Sequence, residues 1–399
     1  MKWVSGISTK VSLEAAVTEV VQKVLEGLAG RSPDFGVVFI SNAFASEYPR
    51  LMPLLAEQIT IKHLIGCSGG GIVGDGQELE DIAALSLMIG HIPNAGIKTF
   101  HIMDEQLPDL DSAPDRWQEL IGVSAYEEEP NFVILADPFS FAVSDFLRGL
   151  DFAYPQAVKV GGMASSGGIG ANALFCSSGD GKYGIYRSGS VGAAIWGSIV
   201  IDAVVSQGCR PIGKPLQISE CDRNIIISLE DQSPLVALQN IVNDLSASDR
   251  DLAQNSLFVG VVMNEFKPIL EQGDFLIRNI IGVDPRSGAI AVADRMRPGQ
   301  RIQLHLRDRQ ASAADLEDAL IRYQTEHEQG SICAALMFAC VGRGEKLYGK
   351  SGFDSNLLRQ YVGNIPISGF FCGGEIGPVG GTTFVHGYTS SFGIFRDKS

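Results

Sequence analysis

Three short stretches hold the residue types from which chemistry could be built. Gly66-Cys67-Ser68-Gly69-Gly70-Gly71 contains G-x-S-x-G, the spacing of a hydrolase nucleophile elbow, and Asp354 and His386 follow in hydrolase order. An elbow needs a helix directly after its serine. Here Ile72-Val73-Gly74-Asp75-Gly76 comes next, a run that no helix tolerates well. The blander reading, a loop shaped for close main-chain approach, is preferred. Gly344-Glu345-Lys346-Leu347-Tyr348-Gly349-Lys350-Ser351 fits the G-x-x-x-x-G-K-[ST] pattern of a phosphate loop. Its interior carries Glu345, Leu347 and Tyr348 where bare amides would wrap a phosphate. Little chain remains downstream for an aspartate to hold Mg²⁺. A surface loop capping a helix is the better account. Gly69, Gly71 and Gly74 also match G-x-G-x-x-G, but without the helix that dinucleotide binding requires.

Cys67 and Cys372 each lie in a glycine-rich loop, where clustered backbone N–H groups lower a thiol's pKa and favour nucleophilic chemistry. The corresponding place in a third such loop holds Gly162 or Met163, so the loops share no catalytic thiol. Small, polarisable lining residues are the simpler reading. The chain has seven cysteines and no C-x-x-C, which argues against a disulfide framework and a zinc site and for a reduced, cytoplasmic protein. Its six histidines do not cluster, and only His386, in the glycine-rich tail, is placed near a pocket. No cofactor and no metal are expected.

The elements that must position these stretches form a repeat. Phe35–Ile40 reads as a buried strand, Glu47–Gln58 as a helix, and a strand from His63 enters the first glycine loop. Phe132–Ala136, Ser140–Leu150 and Ala157–Val160 repeat the order and lead into Gly161-Gly162-Met163-Ala164-Ser165-Ser166. Ile332–Cys340, Asp354–Val362 and Ile367 repeat it again, before Gly369-Phe370-Phe371-Cys372-Gly373-Gly374-Glu375. Each strand–helix–strand unit is a crossover, which predicts parallel strand pairs. Between the units lie antiparallel meanders: Val191–Val205, Pro211–Ile218, Asn224–Leu229, and four further strands from Phe258 to Leu306. Helices are expected at Ser12–Leu28, Ser233–Leu245 and Asp315–His327. The fold class is mixed α/β, a layered sandwich of mixed sheets flanked by helices. The division expected is 1–210, with two repeats, and 211–399, with the third repeat and a meander.

The formal net charge of −15 repels phosphate backbones and anionic lipid, which excludes nucleic acid and membrane surfaces as partners. Val191–Ser206 is the most membrane-like stretch. It contains Asp202 and falls short of the roughly 20 apolar residues of a span.

The three loops, in their order, resemble the FIST family, named for F-box and intracellular signal transduction proteins. Gly66–Ile72 and Gly161–Ser166 are similar to the family's N-terminal part. Cys340-Val341-Gly342-Arg343-Gly344 and Gly369–Pro378 are similar to its C-terminal part. The resemblance implies a sensory module that binds small ligands, amino acids among them. With no output domain apparent, a separate signalling protein is the expected second partner. The residues suggest how such a site would work. Backbone amides at Gly69, Gly70, Gly373 and Gly374 would receive an anion, and Asn42, Ser68, Ser165 and Ser166 would add hydrogen bonds. Arg187 or Arg343 would hold a carboxylate and Glu375 an ammonium, with Cys67, Cys372 and His386 alongside. The alternatives are a hydrolase or transferase using Cys67, Cys372 or Ser68, and a scaffold for a protein partner.

Overall fold

The computed structural model describes residues 1–126, 128–179, 181–327 and 332–398. The chain forms two compact units. One comprises Met1–Val205, Asp318–Val385 and Thr389–Ser399, and the other Ser206–Glu317 with His386–Tyr388.

In chain order the first stretch is β1 (Lys2–Ser8), α1 (Leu13–Leu28), β2 (Phe35–Ser41), α2 (Tyr48–Gln58), β3 (His63–Gly69), the hairpin β4 (Gly71–Gly74) and β5 (Gln77–Glu80), and β6 (Leu85–His91). The second is β7 (Ala95–Ile102), α3 (Pro114–Ile121), β8 (Asn131–Ala136), α4 (Val143–Ala153), β9 (Lys159–Met163), the hairpin β10 (Leu174–Ser177) and β11 (Tyr183–Tyr186), and β12 (Ser190–Gly197). β13 (Ile199–Ser206) opens a third stretch, which the second unit interrupts. That unit holds β14 (Arg210–Asp222), β15 (Ile225–Leu229), α5 (Pro234–Asn243), α6 (Ala247–Ala253), β16 (Leu257–Val262), β17 (Phe275–Val283), β18 (Ile290–Val292) and β19 (Arg301–Leu306). The third stretch resumes through α7 (Arg309–Glu326), β20 (Ile332–Cys340), the single turn α8 (Glu345–Tyr348), α9 (Phe353–Val362), β21 (Ile367–Cys372), the hairpin β22 (Glu375–Val379) and β23 (Thr382–His386), and β24 (Ser390–Asp397).

All three stretches share one order: strand, helix, strand, helix, strand, hairpin, strand. The second unit is thus an insertion between the first strand and first helix of the third repeat. The predicted crossovers are present, since β2 and β3, β8 and β9, and β20 and β21 each pair in parallel. Three six-stranded sheets result, with orders β1-β6-β2-β3-β10-β11, β7-β12-β8-β9-β22-β23 and β13-β24-β20-β21-β4-β5. In none of them does the hairpin belong to the stretch that precedes it. The hairpin after β3 joins the third sheet, that after β9 the first, and that after β21 the second. This cyclic exchange interlocks the repeats, and each glycine-rich loop is the point where the chain passes from one sheet to the next.

The sheets share one apolar core. Phe39, Leu135, Phe338 and Phe370 belong to it, with Phe39 and Phe370 stacked at 5.1 Å between centroids. Helices α1 and α2 cover the outer face of the first sheet, and α3 and α4 that of the second. Central strands buried on both faces account for the unbroken apolar runs of the sequence. Helix α1 begins where expected because the Ser12 hydroxyl accepts from Ala15 N–H. Helix α7 begins six residues before the predicted Asp315, because the Asp308 carboxylate accepts from Ala311 N–H (2.7 Å) and caps an apolar-poor first turn. The inserted unit is a closed barrel, β14-β15-β18-β17-β16-β19, filled by Ile218, Val259, Ile290 and Leu304 among others.

One glycine recurs in each crossover. Gly66, Gly161 and Gly369 are in register with Val38, Ile134 and Met337 of the adjacent parallel strand. A Cβ at these positions would lie 2.2, 1.8 and 1.9 Å from those residues' carbonyl oxygens. Backbone cannot yield as a flexible side chain can. Alanine at any of the three should therefore destabilise by about 3 kcal/mol or more. Gly168→Ala, with nothing near its Cβ, should be close to neutral. Chemical denaturation of the four variants tests this, and a tolerated Gly161→Ala would refute the close-approach account.

A buried charge cluster holds the third repeat against the first. Arg343 donates through Nε and Nη2 to both oxygens of Asp354 (2.7 and 3.0 Å) and through Nη2 to the Tyr348 hydroxyl (2.5 Å). Glu78, on β5, accepts from Ser355 N–H (2.8 Å) in the same interior. Burial, and then the Asp354 charge, raise Glu78 to about 7. The folded state therefore holds a proton that the unfolded chain releases near 4.5, so stability should fall as pH rises from about 4.5 to about 7. Glu78→Gln should flatten that segment of a melting-temperature profile, and an unchanged slope would remove Glu78 as its source.

Candidate functional site

The three hairpin-exchange points meet. Aligning the repeats on Gly66, Gly161 and Gly369 makes Ser68, Met163 and Phe371 equivalent, and likewise Gly70, Ser165 and Gly373. Main-chain bonds join these two sets in a ring. Ser165 N–H donates to Ser68 O (3.4 Å), and Gly373 N–H donates to Met163 O (2.9 Å). The third link passes through a side chain: Gly70 N–H donates to Ser165 Oγ (2.9 Å), and the Ser165 hydroxyl donates to Phe371 O. Met163 N–H adds a bond to Gly374 O (2.8 Å), and Val341 N–H one to Cys372 O (3.1 Å).

The ring corrects part of the expected mechanism. The amides of Gly70 and Gly373 are engaged within it, so they are not offered as a nest for an anion. Gly69 is buried with Phe370 against its α-carbon, and Gly374 is buried as well. What faces solvent at the rim is Gly373, with Gly70, Ser165 and Ser166 half-buried.

Ser68, Cys67 and Cys372 lie inside. The Ser68 hydroxyl accepts from Ala173 N–H (2.9 Å), and β4 follows directly, so the serine sits on a strand pair and not on an elbow. Burial pushes both thiols up, well above their ordinary value, the reverse of what a nucleophilic cysteine needs. Their positions also differ, since Cys67 is equivalent to Gly162 and Cys372 to Gly69. The phosphate-loop pattern is occupied too: the Glu80 carboxylate accepts from Glu345 N–H (2.7 Å), capping α8.

Two expected ligand contacts turn inward. Arg343 is fully buried and committed to Asp354, so it braces its loop instead of facing a ligand carboxylate. Glu375 is fully buried at the start of β22, where its Oε2 accepts from Thr389 N–H (3.0 Å). His386 is buried and falls with Gly387 and Tyr388 in the second unit. Asn42 opens a single 3₁₀ turn after β2 and is exposed.

Sequence reading missed the polar network behind the second loop. Ser166 N–H donates to Asn172 Oδ1 (2.9 Å), Asn172 Nδ2 donates to Asp137 Oδ1 (2.8 Å), and Asp137 Oδ2 accepts from the Ser140 hydroxyl (2.6 Å). Asp137 at the carboxyl end of β8 was the available signal. Tyr48 was also missed, because its place in the first turn of an apolar helix disguised it. Its hydroxyl lies within hydrogen-bond distance of Ser41 O (3.3 Å) and Ser166 Oγ (3.1 Å), and Arg187 lies over its ring at 5.5 Å. Burial raises the Tyr48 phenol, partly offset by hydrogen bonds to Ser166 and Ser68. Arg187 itself is exposed and donates to Ala171 O (3.4 Å) and Asn172 O (3.1 Å).

Relatives match the chain over nearly its whole length. A Mycobacterium tuberculosis protein, Rv0628c, is 32% identical over 394 residues, covering 98% of this chain and 99% of its own. Mb0898c of Mycobacterium bovis is 30% identical over 395 residues, covering 98% of each. Both are described as uncharacterized proteins. Among solved structures, a cyanuric acid hydrolase from A. caulinodans covers 100% of this chain and 99% of its own, at 10% identity and a TM-score of 0.37. That likeness is too slight to carry chemistry across. Among the described residues, no helix is long and apolar enough to cross a membrane. The FIST N domain matches residues 34–232 and the FIST C domain residues 235–378, and the chain belongs to the FIST family of sensory, ligand-binding signal-transduction domains.

Proposed function

We propose that this chain senses a small organic ligand, an amino acid or organic acid, at the rim of the three-loop ring, and relays its occupancy to a separate signalling protein. The observation that supports this reading is the ring. It draws segments around residues 68, 165 and 372 into one hydrogen-bonded floor, and small residues face solvent on it. Glycine and serine leave room there for a ligand to approach the main chain closely. Contacts come from the Ser166 hydroxyl, the Asn42 amide and the Arg187 guanidinium. Any ligand bridging the loops touches chain that belongs to all three sheets, which is how binding at one point can bias the whole unit.

A nucleophilic enzyme is less well supported, because Cys67, Cys372 and Ser68 are enclosed and no pKa-lowering partner acts on either thiol.

A thermal-shift screen of amino acids, organic acids and nucleotides tests the reading. A true ligand at 100 times its Kd should stabilise by about 2.7 kcal/mol. If no amino acid or organic acid shifts the midpoint, the proposal fails. Ser165→Ala strands Gly70 N–H and Phe371 O, so it should cost about 1–3 kcal/mol of stability. It should also weaken the stabilisation by any ligand found. Undiminished ligand stabilisation in that variant would detach the site from the ring.

A further inference from the structure

Arg187 stands apart from the chain's other arginines that the ring region positions. Arg343, beside the same loops, is fixed on the Asp354 carboxylate. Among the described residues no carboxylate lies within ion-pairing distance of Arg187, in a protein of net charge −15. Yet the side chain is held. Nη1 donates to the carbonyls of Ala171 and Asn172, which follow the second glycine-rich loop, and the guanidinium carbon lies 5.5 Å from the centre of the Tyr48 ring. Stacking on an aromatic face and bonding along one edge orient a planar fork without neutralising it. The Tyr48 hydroxyl is within hydrogen-bond distance of Ser166 Oγ, so Tyr48 links the held cation to the half-buried serine of the rim.

We propose that Arg187, braced by Tyr48 and the 171–172 carbonyls, is the group that reads a carboxylate on the ligand, with the Ser166 hydroxyl as its neighbouring donor. This rests on the rim-site reading and names the chemistry of one end of its ligand. The choice of a carboxylate over a phosphoryl group follows from the charge and the geometry. Nη1 is engaged with protein, which leaves Nε and Nη2, one edge with two donors, and a carboxylate presents two oxygens in one plane to such an edge. A phosphate dianion would meet one cation in a strongly acidic chain and lacks the further positive charge that holds it elsewhere.

The test uses the full chain and matched pairs of small molecules: propionate with propionamide, glutarate with glutaramide, phenylalanine with phenylalaninamide, and inorganic phosphate. Binding is followed by thermal shift and by calorimetric titration. At least one acid should bind, and its amide should bind about tenfold more weakly or worse. Arg187→Gln should abolish the acid-over-amide preference. Arg187→Lys, which keeps the charge and loses the fork, should weaken acid binding by about tenfold. Arg187 is exposed, so either variant should fold, and its melting temperature without ligand checks this. The proposal is overturned if Arg187→Gln keeps the preference, if amides bind as well as acids, if phosphate outcompetes every carboxylate, or if no acid binds. Ser165→Ala separates the two readings. Ligand binding lost in Ser165→Ala but retained in Arg187→Gln keeps the rim site and removes its carboxylate reader. The opposite pattern keeps Arg187 and removes the ring.

Discussion

The hydrogen-bonded ring through Ser68, Met163, Ser165, Phe371 and Gly373 is the constraint on which the first unit depends. Three repeats that each gave their hairpin to a neighbour cannot be taken apart one at a time. Every hairpin reaches its foreign sheet through one of the ring's loops, so the ring fixes where each exchange begins. Two of its links are direct amide-to-carbonyl bonds at equivalent positions. The third is bridged by the Ser165 hydroxyl, the one place where threefold equivalence breaks. A symmetric ring would present three alike loops. The broken one singles out the second loop, which is also where Ser166, Asn172 and Asp137 form a hydrogen-bonded network.

Glycine and buried charge serve the same geometry by different means. Gly66, Gly161 and Gly369 let the paired strands of each crossover approach until main chain touches main chain. That closeness brings the loops after β3, β9 and β21 near enough to bond. Arg343 and Asp354 act from the side. A buried ion pair gains little over an apolar pair of equal size, but breaking one partner leaves a stranded charge, so the pair enforces one loop position more than it adds stability. Glu78, on a hairpin exchanged from the first repeat, completes the cluster and makes the joint between repeats sensitive to protonation.

Much of the fold was legible because its signals are local. The crossovers announced themselves through apolar runs such as Phe132–Ala136 and the glycine loops that end them, and α1 through its apolar spacing and Ser12 cap. The hairpins β4–β5, β10–β11 and β22–β23 were not legible. Each strand in them is four or five residues long, too short for a period, and the choice of a foreign sheet is made by contacts hundreds of residues apart. Closure of the inserted barrel is non-local in the same way. Within the candidate site, residue type misled where burial decided. Arg343 and Glu375 sit beside glycines and look ligand-facing in sequence, but their partners Asp354 and Thr389 lie 11 and 14 positions away and draw them inward. Arg187 and Arg343 were equal candidates for a carboxylate in sequence, and what separates them is three-dimensional: Arg343 is paired with Asp354, and Arg187 is laid over Tyr48.

A sensor needs a part that stays and a part that moves, and the second loop contains both. Ser165 is held from two sides by the ring, and Asn172 is held by Asp137 and by its own bond to Ser166 N–H. Between them run Gly167, Gly168, Ile169 and Gly170, all exposed, with open space around Gly168 and Gly170 and with Ile169 86% exposed. Few contacts restrain this segment, so its local opening free energy lies at the low end for the unit. A ligand seated on Ser166 and Arg187 would touch the segment near both its ends, Ser166 directly and Asn172 through the carbonyl that Arg187 holds. Whatever conformation of the segment best accommodates that ligand gains population at the expense of the rest, while the ring keeps the disturbance from unlocking the three sheets.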